Sequence, residues 1–309
     1  MSHGLALPQL PLKEWEKTKM TLHLILQIIG KVRLKMTPRK NHWWFITEYI
    51  SSQGITTSAI PYNDGLDSFE ITLNVRKRRV EVLTSTGEEK LIPLEDGLSV
   101  AQFYPRFIAA LNELGIEPNI LDKPFDLGID TKFSEITEYH HFDWEYIEKF
   151  WKIMLWVDGV MNEFSGRFYG KTCPVQLYWH HMDLAVTRFS GKKGPTMDAG
   201  ARISDKDAYS HEVISFGFWA GDDQVQEPAF YSYTYPSPEG IDKEKLEPAS
   251  AAWVDSNGSP MAFLSFENLR KEEDPRTALL NFLESAYQAG AKLAEWDTEH
   301  LRTVDLEEL

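Results

Sequence analysis

The chain of 309 residues contains a single cysteine, Cys173. One thiol excludes an internal disulfide and any zinc site built from several cysteines, which fits a reducing compartment. Within "KTCPV" it has no partner that the sequence identifies, so it is a weak nucleophile candidate. Long apolar runs are also missing. The most apolar stretch, "LHLILQIIG", reaches roughly half of the ~20 residues that a membrane-spanning helix needs, and it carries His23 and Gln27. The opening "MSHGLALPQLPLKEWEKT" lacks the charged-then-apolar layout of a secretory leader, so a cytoplasmic location is expected. Positive charge is scarce, with 32 Lys and Arg against 47 Asp and Glu, a net charge of −15. Such a field repels phosphate backbones and anionic lipid, which argues against nucleic-acid and membrane partners. The one basic cluster, "VRKRRV", reads as a solvated hairpin turn. No G-x-S-x-G, P-loop, G-x-G-x-x-G or H-E-x-x-H motif occurs.

Aromatic residues, by contrast, are plentiful, and they supply enough apolar area for a large core. Helical spacing runs from residue 17 to 36 and stops at Thr37-Pro38. "HWWFITEYI", "GITTSAIPY" and "SFEITLNV" then read as strands, followed by a hairpin turning at Thr86-Gly87 and a helix capped by Ser99 and stopped by Gly115. After a polar stretch the order recurs. "WEYIEKFWKIMLWVDGVMNEFSGRFYG" is a helix; "PVQLYWHHMDLAVTRF", "SHEVISFGFWAG" and "PAFYSYTYP" are strands; "AAWVDSNGSPMAFLSF" is a hairpin. The last helix starts at Asp274-Pro275 and stops at Gly290. The expectation is an α+β fold of two similar halves, each a helix, four or five mainly antiparallel strands and a helix, arising by internal duplication. The halves would span 1–122 and 143–309, joined by a linker over 123–142, with a ligand-binding crevice between them.

"AYSHEVISFGFWAG" sets His211 beside Glu212. On a regular strand neighbouring side chains point to opposite faces, so His211 aligns with Val213, Ser215, Gly217 and Trp219, and Glu212 with Ile214, Phe216 and Phe218. The preceding strand offers partners. Arg188 would pair with Glu212 on the helix-covered face, and Asp183 would approach His211 on the other, orienting it as a general base. A structural His–Asp pair is the alternative. His23, Gln27 and Lys31 form an i, i+4, i+8 stripe on an otherwise oily helix, with Arg33 and His42 close behind, which suits either solvent or a cavity wall. "RFSGKKGP", with Arg188, Ser190, Gly191 and Lys192, presents backbone N–H groups beside cations, as an anion site or a solvated loop would.

The segments "TLHLILQIIGKVRLKMTP", "NHWWF", "GITTSAIPY", "RFYGK", "DLAVTRFSGKKGP", "AYSHEVISFGFW" and "EPAFYSYTYPSPEG" together resemble an uncharacterised bacterial family classified as a domain of unknown function. The resemblance covers nearly the whole chain and implies no activity, cofactor or partner. It favours His23, Gln27, Lys31, Arg33, His42, Lys171, Asp183, Arg188, Ser190, Gly191, Tyr209, His211 and Glu212 as site residues. His180 and His181 depart from it, standing where the family pattern has small residues. The leading expectation is therefore binding of a small anionic ligand in a cleft, with hydrolysis or isomerisation by His211 and Asp183 if the protein is an enzyme. A non-catalytic interaction module is the alternative. A metal-dependent hydrolase would require His140, His141, His180, His181 and His211 to converge in part, and no metal ligand is assigned.

Overall fold

A computed structural model describes residues 6–304 and 306–308; the outermost ends of the two expected halves, residues 1–5, 305 and 309, lie outside the described residues. The chain opens with α1 (Leu12–Met36) and continues through β1 (Tyr49–Ile50), β2 (Gly54–Thr56), β3 (Ile60–Tyr62), β4 (Asp67–Asn74), β5 (Arg79–Thr84), β6 (Glu89–Pro93) and α2 (Val100–Glu113). A second series follows: α3 (Trp144–Gly166), β7 (Gln176–Tyr178), β8 (Asp183–Lys193), α4 (Ile203–Ala208), β9 (His211–Trp219) and β10 (Ala229–Tyr235). It closes with β11 (Ala252–Ser256), β12 (Ser259–Ser265), α5 (Phe266–Leu269), α6 (Pro275–Leu293) and α7 (Thr298–Leu301).

The fold is α+β, with two antiparallel sheets of six strands each among the described residues, one more than the upper count expected per half. The first sheet is a meander, β1-β2-β4-β5-β6, with β3 also on β4. The second runs β11-β12-β10-β9-β8-β7. The two closing hairpins therefore join their sheets differently. β5 continues the meander, whereas β11–β12 attaches through its second strand, so the likeness in element order does not extend to strand topology. Glu48 and Leu177 exchange both main-chain hydrogen bonds, 2.9 and 2.8 Å, and so stitch the edge of one sheet to the edge of the other.

Helix starts follow the local signals. Ser99 and Gln102 form a reciprocal capping box on α2, and Asp274 caps α6 with Pro275 in the first turn. Three readings of the sequence are corrected. "HWWF" is not a strand: His42 and Trp43 take left-handed backbone (φ 56° and 61°) in a tight turn. "PVQLYWHHMDLAVTRF" is broken at Met182 (φ 55°) into a hairpin, so Tyr178 lies opposite Asp183 as its cross-strand partner. Gly290 does not stop α6 but sits inside it, where an added Cβ would lie 2.2 Å from Thr234 Oγ1.

α1 is the centre of the molecule. From Thr21 to Arg33 every residue is buried, and its apolar side chains belong to a hydrophobic cluster that also takes in α3, α6 and both sheets. Among the described residues no helix is long and apolar enough to cross a membrane. The central helix is packed so closely that at Gly30 an added Cβ would fall 2.1 Å from the Trp179 ring. That ring cannot retreat cheaply, because its indole N–H donates to the Ile46 carbonyl at 2.9 Å.

Gly30→Ala therefore sets two effects against each other. Alanine gains about 1 kcal/mol of helix propensity, whereas overpacking costs about 1–3 kcal/mol and loss of the buried indole bond about another 1–3 kcal/mol. The expected outcome is a net loss of about 1–5 kcal/mol, measured as a lower urea midpoint with an unchanged slope.

Candidate functional site

The left-handed turn at His42, which follows α1, carries its imidazole onto the second sheet. The ring lies 4.6 Å from Phe189 on β8, 5.3 Å from Trp44 and 5.7 Å, edge-on, from His211 at the start of β9. Its Nδ1 faces the carbonyls of Asp207 and Ala208 at 3.0 and 3.3 Å. Carbonyls only accept, so Nδ1 carries the proton. Nε2, 2.6 Å from the Lys171 ammonium, is then the acceptor. A protonated His42 would turn a second N–H towards that ammonium. Burial first, and Lys171 next, hold the His42 imidazole below its ordinary pKa.

Lys171 also packs its ammonium over the rings of Phe189 (4.8 Å) and Trp44 (5.3 Å). Among the described residues no carboxylate lies within ion-pair distance of it. Desolvation lowers its pKa, and Asp207 partly offsets this.

His211 presents the same tautomer. Ser210 Oγ donates to the Asp207 carbonyl at 3.0 Å, so it accepts from His211 Nδ1 at 3.1 Å, which leaves Nε2 as an acceptor. Lys193 is the cross-strand neighbour of His211, and Lys40 lies over Trp44. Arg39 holds Asp207 at 3.3 Å. A positive patch thus forms on a strongly acidic protein, with imidazole nitrogens and an amine on one surface.

The remaining expected site residues lie elsewhere. Asp183 and His211 sit at opposite ends of β9's neighbourhood: Asp183 pairs with Trp219, eight strand positions from His211, or about 26 Å at ~3.3 Å per residue. They cannot act on one another. Glu212, on the other face of β9, accepts from Ser190 at 2.8 Å, so its expected pairing with Arg188 does not form. Arg188 is buried among Phe164, Phe168 and Tyr287 at 3.6, 5.0 and 4.4 Å, donates to the Phe164 carbonyl and meets Glu284 at 3.9 Å. Burial pulls its pKa down to about 10. Lys192 donates to the carbonyls of Ala294 and Glu295 at the end of α6, which employs its charge against the helix dipole. The segment expected as a loop is the end of β8, where Gly191 (φ 89°) lies in a break of register between Phe189 and Lys193. Tyr209 shares a hydroxyl contact with Tyr233 at 3.1 Å.

The stripe on α1 is engaged largely with main-chain carbonyls of distant segments. His23 Nε2 donates to the carbonyls of Trp179 and His180 at 3.0 and 3.1 Å. Gln27 donates to the carbonyls of Phe125 and His180 and accepts from the Phe125 amide at 2.8 Å. Lys31 lies over Phe133 at 5.9 Å. Arg33 donates to the Thr57 carbonyl and covers Tyr49, beside buried Glu48, whose carboxyl is pushed well above its usual range by desolvation. Cys173 is buried with its thiol pushed up to about 11, which removes it as a nucleophile. No three His, Cys, Asp or Glu side chains gather as a metal-binding group among the described residues. A cavity of about 440 Å³ lies beside α6, away from His42, and its lysines are already paired, Lys292 with Glu244 and Lys245 with Glu247.

The sequence did not single out Lys40 or Lys193 as site residues, and the turn geometry that recruits them has no local signature. A family model described as "Family of unknown function (DUF5996)" matches residues 7–303. No curated protein and no solved structure matches the chain.

His23 provides a direct test of the stripe's role. Its ring is held neutral in the native state, with a pKa of about 3 against 6.5 ordinarily, chiefly by burial. Unfolding in acid lets it take up a proton, so its contribution is complete above about pH 6.5 and drains away as the pH falls towards about 3. Between pH 7 and 5 urea stability is expected to fall with a limiting slope of about 1.4 kcal/mol per pH unit from this one proton. In His23→Gln, which keeps an N–H donor, that component of the slope disappears even if the variant is less stable overall.

Proposed function

This chain belongs to DUF5996, a family of unknown function, and because that membership brings no activity with it, we propose from the chain's own residues that it binds a small anionic ligand where Lys171, His42 and His211 meet. The observation that carries this reading is the Lys171 ammonium. It stands 2.6 Å from a neutral imidazole nitrogen, walled by two aromatic rings, with no carboxylate in range among the described residues. A cation left without a counter-ion beside apolar walls gains most from an anion that supplies both charge and hydrogen-bond acceptors. Lys193, Lys40 and the Nε2 of His211 add local attraction that overcomes the acidic surroundings.

The site draws on both proposed halves, 1–122 and 143–309, which agrees with a crevice between them. If the protein turns its ligand over, His42 or the amine of Lys171, held below its usual pKa, is the proton acceptor and His211 the second acid–base group. Asp183 and Glu212 have no part in it. A cytoplasmic location belongs to the same reading and is supported by the single, buried cysteine.

Inorganic phosphate is the first probe. It is expected to raise the melting temperature saturably beyond sodium chloride of equal ionic strength. Lys171→Met is expected to weaken phosphate binding at least tenfold and His211→Gln several-fold, both read by calorimetric titration. Equal phosphate binding by wild type and Lys171→Met would remove the proposal.

A further inference from the structure

The end of the second sheet far from His42 holds an arrangement that the anion site leaves unexplained. Asp183 on β8 and Trp219 on β9 are cross-strand partners, so their side chains stand next to one another on one face. Asp183 Oδ1 and Trp219 Nε1 are both sealed from solvent, and neither has a hydrogen-bond partner. One is an acceptor lacking a donor, the other a donor lacking an acceptor. The second carboxylate oxygen accepts from Tyr231 at 2.6 Å. Among the described residues no cation stands within ion-pair distance of Asp183.

The surroundings are aromatic. Tyr178 is the other cross-strand partner of Asp183; Tyr231 lies 5.7 Å from Trp219, and Phe263 6.1 Å from Trp219 on the far side. Gly217 makes this possible: an added Cβ there would fall 2.3 Å from the Tyr231 ring, so only glycine lets that ring lie flat on the sheet with its hydroxyl at Asp183. Tyr178, Asp183, Trp219, Tyr231 and Phe263 are each only partly buried as whole residues, so the two sealed atoms lie beneath side chains that reach the surface.

We propose that this niche is a second binding site, separate from the Lys171 site, for a primary ammonium group carrying a neighbouring oxygen, as in an amino alcohol. The ammonium would donate to Asp183 Oδ1 and supply the missing positive charge, its flanks resting on electron-rich ring faces. The adjacent oxygen would accept from Trp219 Nε1. A quaternary ammonium offers no N–H and satisfies neither orphaned atom. A neutral diol satisfies both but leaves the carboxylate without a counter-charge. Burial raises the Asp183 pKa, in keeping with a carboxyl that has no cation within ion-pair distance among the described residues.

The test is calorimetric titration of the full chain with ethanolamine hydrochloride at neutral pH and constant chloride, together with the indole N–H spectrum, in which Trp219→Phe identifies the Trp219 signal. Saturable binding that moves the Trp219 signal is expected. Asp183→Asn, nearly the same shape, is expected to weaken it at least tenfold, Trp219→Phe several-fold, and Lys171→Met not at all. The indoles other than Trp219 report whether Asp183→Asn keeps the native fold. The proposal is overturned by an unmoved Trp219 signal in wild type, by undiminished binding in a folded Asp183→Asn protein, or by ethylene glycol binding as tightly as ethanolamine. Because Lys171→Met leaves this site intact, failure here and failure of the anion site are separate results.

Discussion

From Thr21 to Arg33, α1 is buried on all sides, so each polar group on it must be satisfied by the protein itself. His23, Gln27 and, through one of its terminal nitrogens, Arg33 answer this demand by reaching for main-chain carbonyls of distant segments, at residues 179–180, 125 and 57, although Arg33 Nε stays without a partner. A helix that was only oily would bury as much area without choosing which loops lie against it. The polar stripe makes that choice. The hairpin tip at Trp179–His180 is held by His23 and Gln27 and by the fit of the Trp179 ring against Gly30. β7 and β8 extend from that tip, and β8 carries Phe189, the floor under His42.

The His42 cluster is likewise defined by donors and acceptors more than by charge. Two imidazoles each spend Nδ1 on the surrounding structure and leave Nε2 as an acceptor, one of them for Lys171. Main-chain carbonyls at Asp207 and Ala208 and the Ser210 hydroxyl fix these tautomers, so a short helix, α4, sets the chemical character of a surface made by other elements. This is the sort of support that pre-organises a site, because the groups need not reorient when an anion arrives.

Much of the fold is legible in the sequence where the signal is local. Ser99 and Gln102, or Asp274 and Pro275, mark helix starts through bonds made within one turn. The alternation in "HEVISFGFW" separates His211 from Glu212, which take different partners, because the irregularity at this end lies in β8 between Phe189 and Lys193. The sequence misleads where aromatic and β-branched residues enter turns. "HWWF" and "YWHH" carry strong strand propensity, yet left-handed residues at His42, Trp43 and Met182 fold them back, a tertiary override of local preference. Alternation puts Asp183 and His211 on one face, but it does not give the register, and the pairing of Asp183 with Trp219 sets them eight positions apart. The stripe of His23, Gln27 and Lys31 is visible as a pattern. Whether it lines a cavity or grips a loop depends on carbonyls about a hundred or more positions away in the chain, which periodicity cannot register.

The stitch between Glu48 and Leu177 has a consequence for self-association. An edge strand is a template for any other chain with unsatisfied amides, and a molecule with two open sheets has four such edges to guard. Here β1 and β7 are turned towards each other, so two of the four are shielded internally with a single pair of main-chain bonds. Of the two left outside, β6 carries Glu89, Lys90 and Pro93, residues that discourage a neighbour from adding on. The other, β11, is short and includes Asp255. The junction between the two sheets is thus also a safeguard against fibrillar stacking.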